Sequence, residues 1–364
     1  MSAVVPEVSE RKQAFAKRLA IAIVAIALVG LPLLFSQLTI YRLGVVLIFV
    51  VAAIGLHILV NWAGELSLCH AGMVGVPAFV VAGLSERFDV SPLLLVPAGL
   101  VVGAGVGAIV ALPALRAKGL QVALVTFAVG IAINSYFFNQ SWLVGPASGR
   151  QAAVPSLGRL TFNTSKSLYP VVGGLFVLIV LATWGLYRSR VARAMLWVKA
   201  DPEAAAVFGI QVRFYRILAY VLAGAFAGLS GSLTVVWTRV VSAQSFPTTL
   251  SFTYLLVVVI AGTGFVGGVI VIGGLLEGGA LFISSAATWI NYMGPIGLVL
   301  SLTANKNGIN GAMRQVLSRF EPSEPVALDC VLDEMSPDAE SDLDSDLRRR
   351  RRNSRWSTLA GRRG

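Results

Sequence analysis

Polar residues interrupt one apolar stretch of this 364-residue sequence in a way that could serve chemistry. The interrupting residues are Gly64, Glu65, Ser67, His70 and Gly72. In a membrane, polar side chains are costly and usually face a cavity or the interior of a helix bundle, and a broken helix leaves N–H and C=O groups free to bind a ligand. Two interpretations stay open. Either these residues and Gly75 line a substrate path, or Ser67 and His70 only hydrogen-bond neighbouring helices.

A second stretch, residues 201–209, carries the signals of a short helix that is capped at both ends. Asp201 suits the N-cap and Pro202 the first helical position, and Glu203 favours the positive N-terminal end. Gly209 suits the left-handed position that follows a helix. Between the caps lie Ala204, Ala205, Ala206 and Phe208. We expect this alanine face with one aromatic side chain to dock into a groove on a partner; a simple connector is the alternative.

Other kinds of chemistry lack the residues that they need. The sequence has two cysteines and two histidines, too few for a disulfide framework or a dense metal cluster, so we expect no metal ion. Paired carboxylates and His-rich helices are absent from the sequence, so we assign no catalytic residue and expect no enzyme. The run from Gly262 to Gly268 lacks the Gly-Lys-Ser/Thr ending of a phosphate-binding loop, which argues against a nucleotide site.

The composition indicates which elements must position these residues. Hydrophobic residues make up 56% of the chain and charged residues 13%, with a mean hydropathy of +0.78. Because a soluble domain averages about 25% charged residues, a soluble enzyme is excluded. We predict an all-α, polytopic transmembrane helical bundle of about 8–10 spans. The candidate spans are Leu19–Phe35, Leu43–Val60, Ala63–Leu84, Leu93–Leu112, Leu120–Phe138, Val171–Tyr187, Ile217–Val236, Tyr254–Thr263, Val266–Ile283 and Gly294–Leu302.

The charges divide the chain and orient it. We expect a cytoplasmic N-terminal segment at residues 1–18, a transmembrane domain at 19–303 and a cytoplasmic tail at 304–364, disordered from about residue 321. With the N-terminus inside, 12 basic residues before position 304 fall in inside segments and 6 in outside segments. The excess of basic residues therefore predicts N-in and C-in orientation. It also favours membrane lipid over nucleic acid as the partner of the +11 net charge.

Glycine recurs at every fourth position in two of the spans. Gly99, Gly103 and Gly107 form one stripe, and Gly224 and Gly228 form another. This spacing lets helix backbones approach closely. We expect both stripes to pack helices within the subunit; contact with a second subunit is the alternative.

The 201–209 stretch resembles a motif of a known family. The pattern Glu203-Ala204-Ala205-x-x-x-Gly209 is similar to the EAA loop of bacterial ABC importer permeases, without that loop's downstream proline. The flanking pattern, from Arg193-Ala194 through Asp201 to Gly209-Ile210, resembles the branched-chain amino-acid branch. The Asn61–Phe79 block resembles that branch as well, with Cys69 in place of a glycine.

The resemblance implies an activity and a set of partners. The chain is expected to be the permease subunit of an ATP-driven importer that moves branched-chain (hydrophobic) amino acids across the bacterial plasma (inner) membrane. Residues 188–216, called the coupling loop below, are expected to contact ABC ATPase subunits. The residues implied in that contact are Asp201, Glu203, Ala204, Ala205, Phe208 and Gly209. ATP and Mg²⁺ are expected on the ATPase, with no cofactor in this chain. A second permease subunit and an extracytoplasmic substrate-binding protein complete the implied assembly.

Two alternatives to this function stay open at the level of sequence. A urea or short-amide ABC importer shares the same motifs. An ion-coupled secondary transporter needs acidic residues within the membrane; only Glu65 and Glu277 qualify, and the sequence shows no basic partner for either.

Overall fold

The computed structural model describes residues 35–117, 119–145, 149–158, 160–262 and 266–282. Within these ranges, seven helices are long and apolar enough to cross a membrane. They cover Gln37–Trp62, His70–Phe88, Val96–Ala114, Gln121–Asn139, Ser165–Tyr187, Val212–Thr238 and Ala243–Ala261. A shorter apolar helix follows at Gly267–Gly279. The prediction of a polytopic helical bundle is confirmed. The predicted spans Leu19–Phe35 and Gly294–Leu302 and the tail lie outside the described residues, apart from Phe35.

The described chain folds into eleven α-helices and four two-residue strands. The helices are α1 Gln37–His57, α2 His70–Phe88, α3 Val96–Ala114, α4 Leu120–Ser135, α5 Ser141–Val144, α6 Ser165–Tyr187, α7 Arg190–Ala200, α8 Pro202–Val207, α9 Val212–Thr238, α10 Thr249–Ala261 and α11 Gly267–Phe282. The strands are β1 Arg150–Gln151, β2 Ser156–Leu157, β3 Leu160–Thr161 and β4 Val240–Val241. A π-helical turn, Ile58–Trp62, continues α1, and 3₁₀ turns cover Phe137–Asn139 and Ala243–Ser245.

Helices α1, α2 and α9 form the centre of the bundle. Every residue of α1 from Ile48 to His57 is buried, as expected of a helix that is surrounded on all sides. Helix α9 packs against α1, α2 and α3, and α1 also packs against α6 and α11. Helix α3 exposes apolar side chains, among them Val101, Ile109 and Leu112, on the side away from this centre. In a membrane, such side chains contact lipid.

The two glycine stripes face each other across the contact between α3 and α9. A Cβ placed on Gly103 would overlap the backbone of Gly224 and Gly228, and a Cβ on Gly107 would overlap the Tyr220 carbonyl group. The two backbones are therefore in direct contact. The prediction that both stripes pack helices within the subunit is confirmed.

A small β-ribbon forms at the end of α9. Strand β1 pairs antiparallel with β4, with Arg150 opposite Val241, and the Ala152 N–H donates to the Arg239 carbonyl oxygen at 2.8 Å. Helix α6 begins at Ser165, where Thr164 forms its capping box. The connection between the predicted spans Leu120–Phe138 and Val171–Tyr187 is thus shorter than their bounds imply, and it is attached to α9.

One predicted span has the wrong start. The span expected at Ala63–Leu84 begins as a helix only at His70. Gly64 has a φ of +76°, which is outside the helical region, so the chain leaves the helix after Trp62. Residues 63–69, called the broken segment below, connect α1 and its π-helical turn to α2.

Candidate functional site

Helix α8 begins as the sequence predicts. Asp201 is its N-cap, and the Asp201 Oδ1 atom accepts hydrogen bonds from the N–H groups of Glu203 at 2.9 Å and Ala204 at 3.0 Å. Pro202 occupies the first turn, where its missing N–H has no intrahelical acceptor. Such a cap contributes about 1 kcal/mol to helix stability.

The end of α8 also forms the predicted cap. Gly209 has a φ of +79°, and its N–H donates to the Ala206 carbonyl oxygen at 3.0 Å. The Ile210 N–H donates to the Ala205 carbonyl oxygen, also at 3.0 Å. These two bonds are the Schellman arrangement, which satisfies carbonyl groups at the helix end. A six-residue helix is thus fixed at both ends by local interactions.

The expected alanine face of α8 is exposed only in part, at Ala206. Ala205 is completely buried and Ala204 is half-buried, because α8 packs against α7 and α9 on this side. The exposed side carries Val207 at 86% exposure and Phe208 at 74%. Val207 and Phe208, together with the small side chain of Ala206, are therefore the groups that α8 presents to a partner.

Helix α7 is a feature that the sequence analysis missed. Ser189 caps it by accepting a hydrogen bond from the Ala192 N–H at 3.3 Å. Its buried side carries Ala192, Met195 and Val198, spaced three apart, and this spacing is the signal that could have identified the helix. On its exposed side, the Trp197 ring lies 6.1 Å from the Phe208 ring.

The exposed apolar side chains of α7 and α8 meet where the Trp197 and Phe208 rings contact each other. The apolar patch, as it is called below, consists of Leu196, Trp197, Val207 and Phe208. Trp197 is 56% exposed. Contiguous exposed apolar groups outside the spanning helices mark sites of protein contact.

The broken segment is held by side chains from other helices. The Leu68 N–H donates to Thr126 Oγ1 of α4 at 3.1 Å. The Ala71 N–H, in the first turn of α2, donates to Ser251 Oγ of α10 at 3.0 Å. These bonds satisfy N–H groups that a continuous helix would have satisfied internally. Hydrogen bonds to α4 and α10 therefore stabilise the interruption between α1 and α2.

The predicted path residues lie in different surroundings. Ser67 and His70 are buried, Gly64 is exposed, and Gly72 packs against Ile133. Gly75 leaves room for rings, since a Cβ there would lie 3.0 Å from Phe246. Both Gly72 and Gly75 therefore lie where other side chains pack closely against the α2 backbone. The substrate path itself stays a prediction.

His70 is bonded on one side of its ring. Its Nε2 donates to the Ala52 carbonyl oxygen at 2.8 Å, so Nε2 carries the proton and Nδ1 is an acceptor. Within the described residues, Nδ1 has no hydrogen-bond partner. Ser67 Oγ lies 3.3 Å from Cys69 Sγ. His70 thus bonds to a neighbouring helix, as the packing interpretation requires, whereas the bond of Ser67 stays within the broken segment. His70 keeps one acceptor atom unused.

The structure gives Glu65 the basic partner that the sequence did not reveal. Arg216 Nε, near the start of α9, lies 3.1 Å from Glu65 Oε1. The contact is an ion pair without hydrogen-bond geometry at Nε. Glu65 is 7% exposed, and a buried carboxylate requires such a partner.

Lys199, the second basic residue at the broken segment, comes from α7. Its Nζ donates to the Asn61 carbonyl oxygen at 2.9 Å. Burial lowers the pKa of the Lys199 ammonium group. Asn61 in turn donates through Nδ2 to the Gly262 carbonyl oxygen at 3.2 Å. Lys199 and Arg216 thus bring the coupling loop and the broken segment together.

The described residues offer few sites for other chemistry. Among them, no group of three His, Cys, Asp or Glu side chains could hold a metal ion. Cys69 is a buried free thiol. Glu277, the second acidic candidate, is half-buried on α11.

Comparison with known proteins identifies the family. Residues 38–305 match the family described as "Branched-chain amino acid transport system / permease component". The LivM high-affinity branched-chain amino acid permease protein of Escherichia coli K12 is 25% identical over 260 residues, which cover 65% of this chain and 61% of LivM. The LivM protein of Salmonella typhimurium has the same identity and coverage.

An archaeal relative matches as well. The probable LivH branched-chain amino acid permease of Methanocaldococcus jannaschii is 27% identical over 244 residues, covering 64% of this chain and 74% of LivH. The chain spans about 61% of the length of the two LivM proteins. No solved structure matches the chain. Because the family match covers most of the sequence and the fold is a polytopic helical bundle, the chain belongs to the permease components of branched-chain amino acid transport systems.

Proposed function

We propose that this chain is the membrane-spanning subunit of an ATP-driven importer of branched-chain amino acids in the bacterial inner membrane. The observation that carries the proposal is α8, a short helix capped at both ends that presents Val207 and Phe208 outside the spanning helices. Its relatives are named as permeases of branched-chain amino acid transport. An exposed, rigid helix of this kind suits a partner that must push on the bundle.

The apolar patch is the proposed contact with an ABC ATPase. Phe208 and Trp197 supply the aromatic side chains that dominate the affinity of many protein interfaces. Asp201 and Gly209 fix the ends of α8, and Glu203 lies exposed in its first turn. ATP and Mg²⁺ bind the ATPase in this proposal, and the present chain hydrolyses nothing.

The remaining assembly follows from the sidedness of the chain. The coupling loop faces the cytoplasm, together with both termini. The β-ribbon, one membrane crossing away, then faces outward and is a candidate contact for an extracytoplasmic substrate-binding protein. A second permease subunit completes the transport path.

The alternatives have less support. The names of the relatives favour branched-chain amino acids over urea or short amides. Ion coupling requires an acidic residue that exchanges its cation, whereas Glu65 is already paired with Arg216.

His70 Nδ1, a buried acceptor, is a candidate contact for the ammonium group of a passing amino acid.

Co-purification tests the contact with the ATPase. The tagged chain is isolated in mild detergent together with any chain that carries a phosphate-binding loop and hydrolyses ATP. We expect the wild type to retain such an ATPase and the variant Val207→Asp/Phe208→Asp to lose it. Removing a central interface residue costs about 2 kcal/mol, roughly thirtyfold in Kd.

The matched control is Leu160→Asp. Leu160 is 65% exposed on β3, across the membrane from the patch, and its substitution is expected to leave the ATPase bound. Absence of an ATPase from the wild-type preparation would contradict the proposal. Uptake of labelled leucine, isoleucine and valine, compared with urea, by the reconstituted complex then tests the substrate.

A further inference from the structure

Two basic side chains attach the coupling loop to the broken segment, one from each side of α8. Lys199 lies two positions before the N-cap Asp201, and Arg216 lies seven positions after Gly209. Both reach the same short stretch, since Lys199 contacts Asn61 and Arg216 contacts Glu65. The loop is therefore fastened at two points to the place where the first described spanning helix stops.

The contact of Lys199 completes a helix end. The Glu65 N–H, which would bond to the Asn61 carbonyl in a regular helix, donates instead to the Leu59 carbonyl oxygen at 3.1 Å. The Asn61 carbonyl is thus left to the Lys199 ammonium group. A cation is favoured at the negative end of a helix. The stem of Lys199 also packs on Gly64, where a Cβ would lie 3.0 Å from Lys199 Cγ.

The contact of Arg216 with Glu65 is an ion pair. Glu65 is almost fully buried, so breaking its pair with Arg216 would leave an uncompensated carboxylate. Arg216 is the last residue of the coupling loop and lies in the first turns of α9. Any displacement of α8 that moves the start of α9 therefore moves the partner of Glu65.

We propose that Lys199 and Arg216 are positioning residues that transmit displacement of α8 to residues 63–69 and thereby make transport depend on ATP hydrolysis. This inference rests on the proposed function. The broken segment in turn contacts α4 through Leu68 and leads into α2, whose Ala71 N–H bonds to α10. A shift at the loop thus reaches three spanning helices through hydrogen bonds and one ion pair.

The experiment measures ATP hydrolysed per amino acid imported by the complex of this chain with its ATPase and binding protein in liposomes. The variants are Lys199→Met, which keeps the packed stem and removes the donor, and Arg216→Gln. A coupling energy of 1–3 kcal/mol corresponds to a change of about fivefold or more, so we expect each variant to raise the ratio by at least that factor. ATPase binding is expected to persist, because neither residue belongs to the apolar patch.

Two controls separate transmission from general damage. Glu86→Gln removes another ion pair, Glu86 with Arg150 at 3.4 Å, and is expected to leave the ratio unchanged. Lys199→Arg keeps a donor and is expected to stay near the wild-type ratio. The exchanged pair Glu65→Arg/Arg216→Glu is expected to lie closer to the wild-type ratio than either single change does.

Hydrogen exchange gives a readout that does not depend on yield. In the wild type, the peptide containing residues 63–69 is expected to change its amide exchange when a non-hydrolysable ATP analogue binds the complex. In the monodisperse fraction of the Lys199→Met/Arg216→Gln variant, this change in amide exchange is expected to be absent.

The outcomes are distinguishable. If the wild type binds no ATPase, the proposed function fails and this inference with it. If the wild type binds the ATPase and imports amino acids, but the variants keep the wild-type ratio or the wild-type exchange response, only the role of Lys199 and Arg216 is overturned.

Discussion

Gly103 and Gly105 lie two positions apart on α3 and have opposite surroundings. A Cβ on Gly103 would overlap the backbone of α9, whereas a Cβ on Gly105 would meet no atom within 4 Å. The same residue type therefore serves different purposes in one helix. At Gly103 the missing side chain permits contact between two backbones, and at Gly105 its only energetic consequence is the lower helix propensity of glycine.

We predict that Gly103→Ala lowers the free energy of unfolding by about 1–3 kcal/mol, because the added methyl group separates α3 from α9. Gly105→Ala is the control and is expected to be neutral or to stabilise by up to about 1 kcal/mol. The melting temperatures of the two variants are compared in detergent, with unfolding monitored as the loss of monodisperse protein. Equal melting temperatures would argue against direct backbone contact.

At the scale of elements, the sequence predicted the ends of α8 but not its orientation. Asp201 and Gly209 are recognisable because a cap acts within a few residues of itself. The exposed face depends on α7 and α9, which bury Ala205 and leave Phe208 in solvent. Since burial is decided by packing between helices, no local pattern could have shown that Ala205 is buried while Ala206 and Phe208 are exposed.

The N-cap of α8 provides an element-scale prediction. Asp201→Ala is expected to destabilise the helix by about 1 kcal/mol, because two N–H groups lose their acceptor. Faster amide exchange at Glu203 and Ala204 measures this loss. Asp201→Asn keeps an acceptor oxygen and is the control; if both variants exchange alike, the carboxylate has no capping role.

At the scale of the whole molecule, the number of crossings sets which surfaces share a side of the membrane. Helix α6 lies between Leu160 and Val207 along the chain and is long and apolar enough to cross a membrane. A single crossing by α6 places the two residues on opposite sides, as the proposed orientation requires. Continuous apolar runs predicted most of these spanning helices, because a helix of about 20 apolar residues is long enough to cross the hydrocarbon core.

Cysteine labelling tests the sidedness. In a Cys330→Ser background, Leu160→Cys is expected to react with a membrane-impermeant maleimide in intact cells. Val207→Cys is expected to react only after the membrane is opened. Native Cys69 is buried, so its background labelling is expected to be low. Labelling of Val207→Cys in intact cells would reverse the proposed orientation.

The contacts between distant residues lay beyond the reach of sequence patterns. Lys199 and Asn61 are 138 positions apart, and no pattern in the sequence around either residue predicts their contact. The missing partner of Glu65 illustrates the same limit, because an ion pair depends on where two helices end in space. Only the folded bundle shows that the two stretches singled out from the sequence lie side by side.

Helix α9 runs without a break for 27 residues, from the end of the coupling loop, within which it begins, to the β-ribbon. At 1.5 Å per residue it is about 40 Å long, more than the hydrocarbon thickness of a bilayer. Its first turns hold Arg216, and the residue that follows its last turn, Arg239, accepts a hydrogen bond from the ribbon. A continuous hydrogen-bonded helix of this length can reach from the coupling loop to the β-ribbon across a bilayer, so a change of tilt at its first turn is also a change of tilt at its last turn, without any side-chain contact in between.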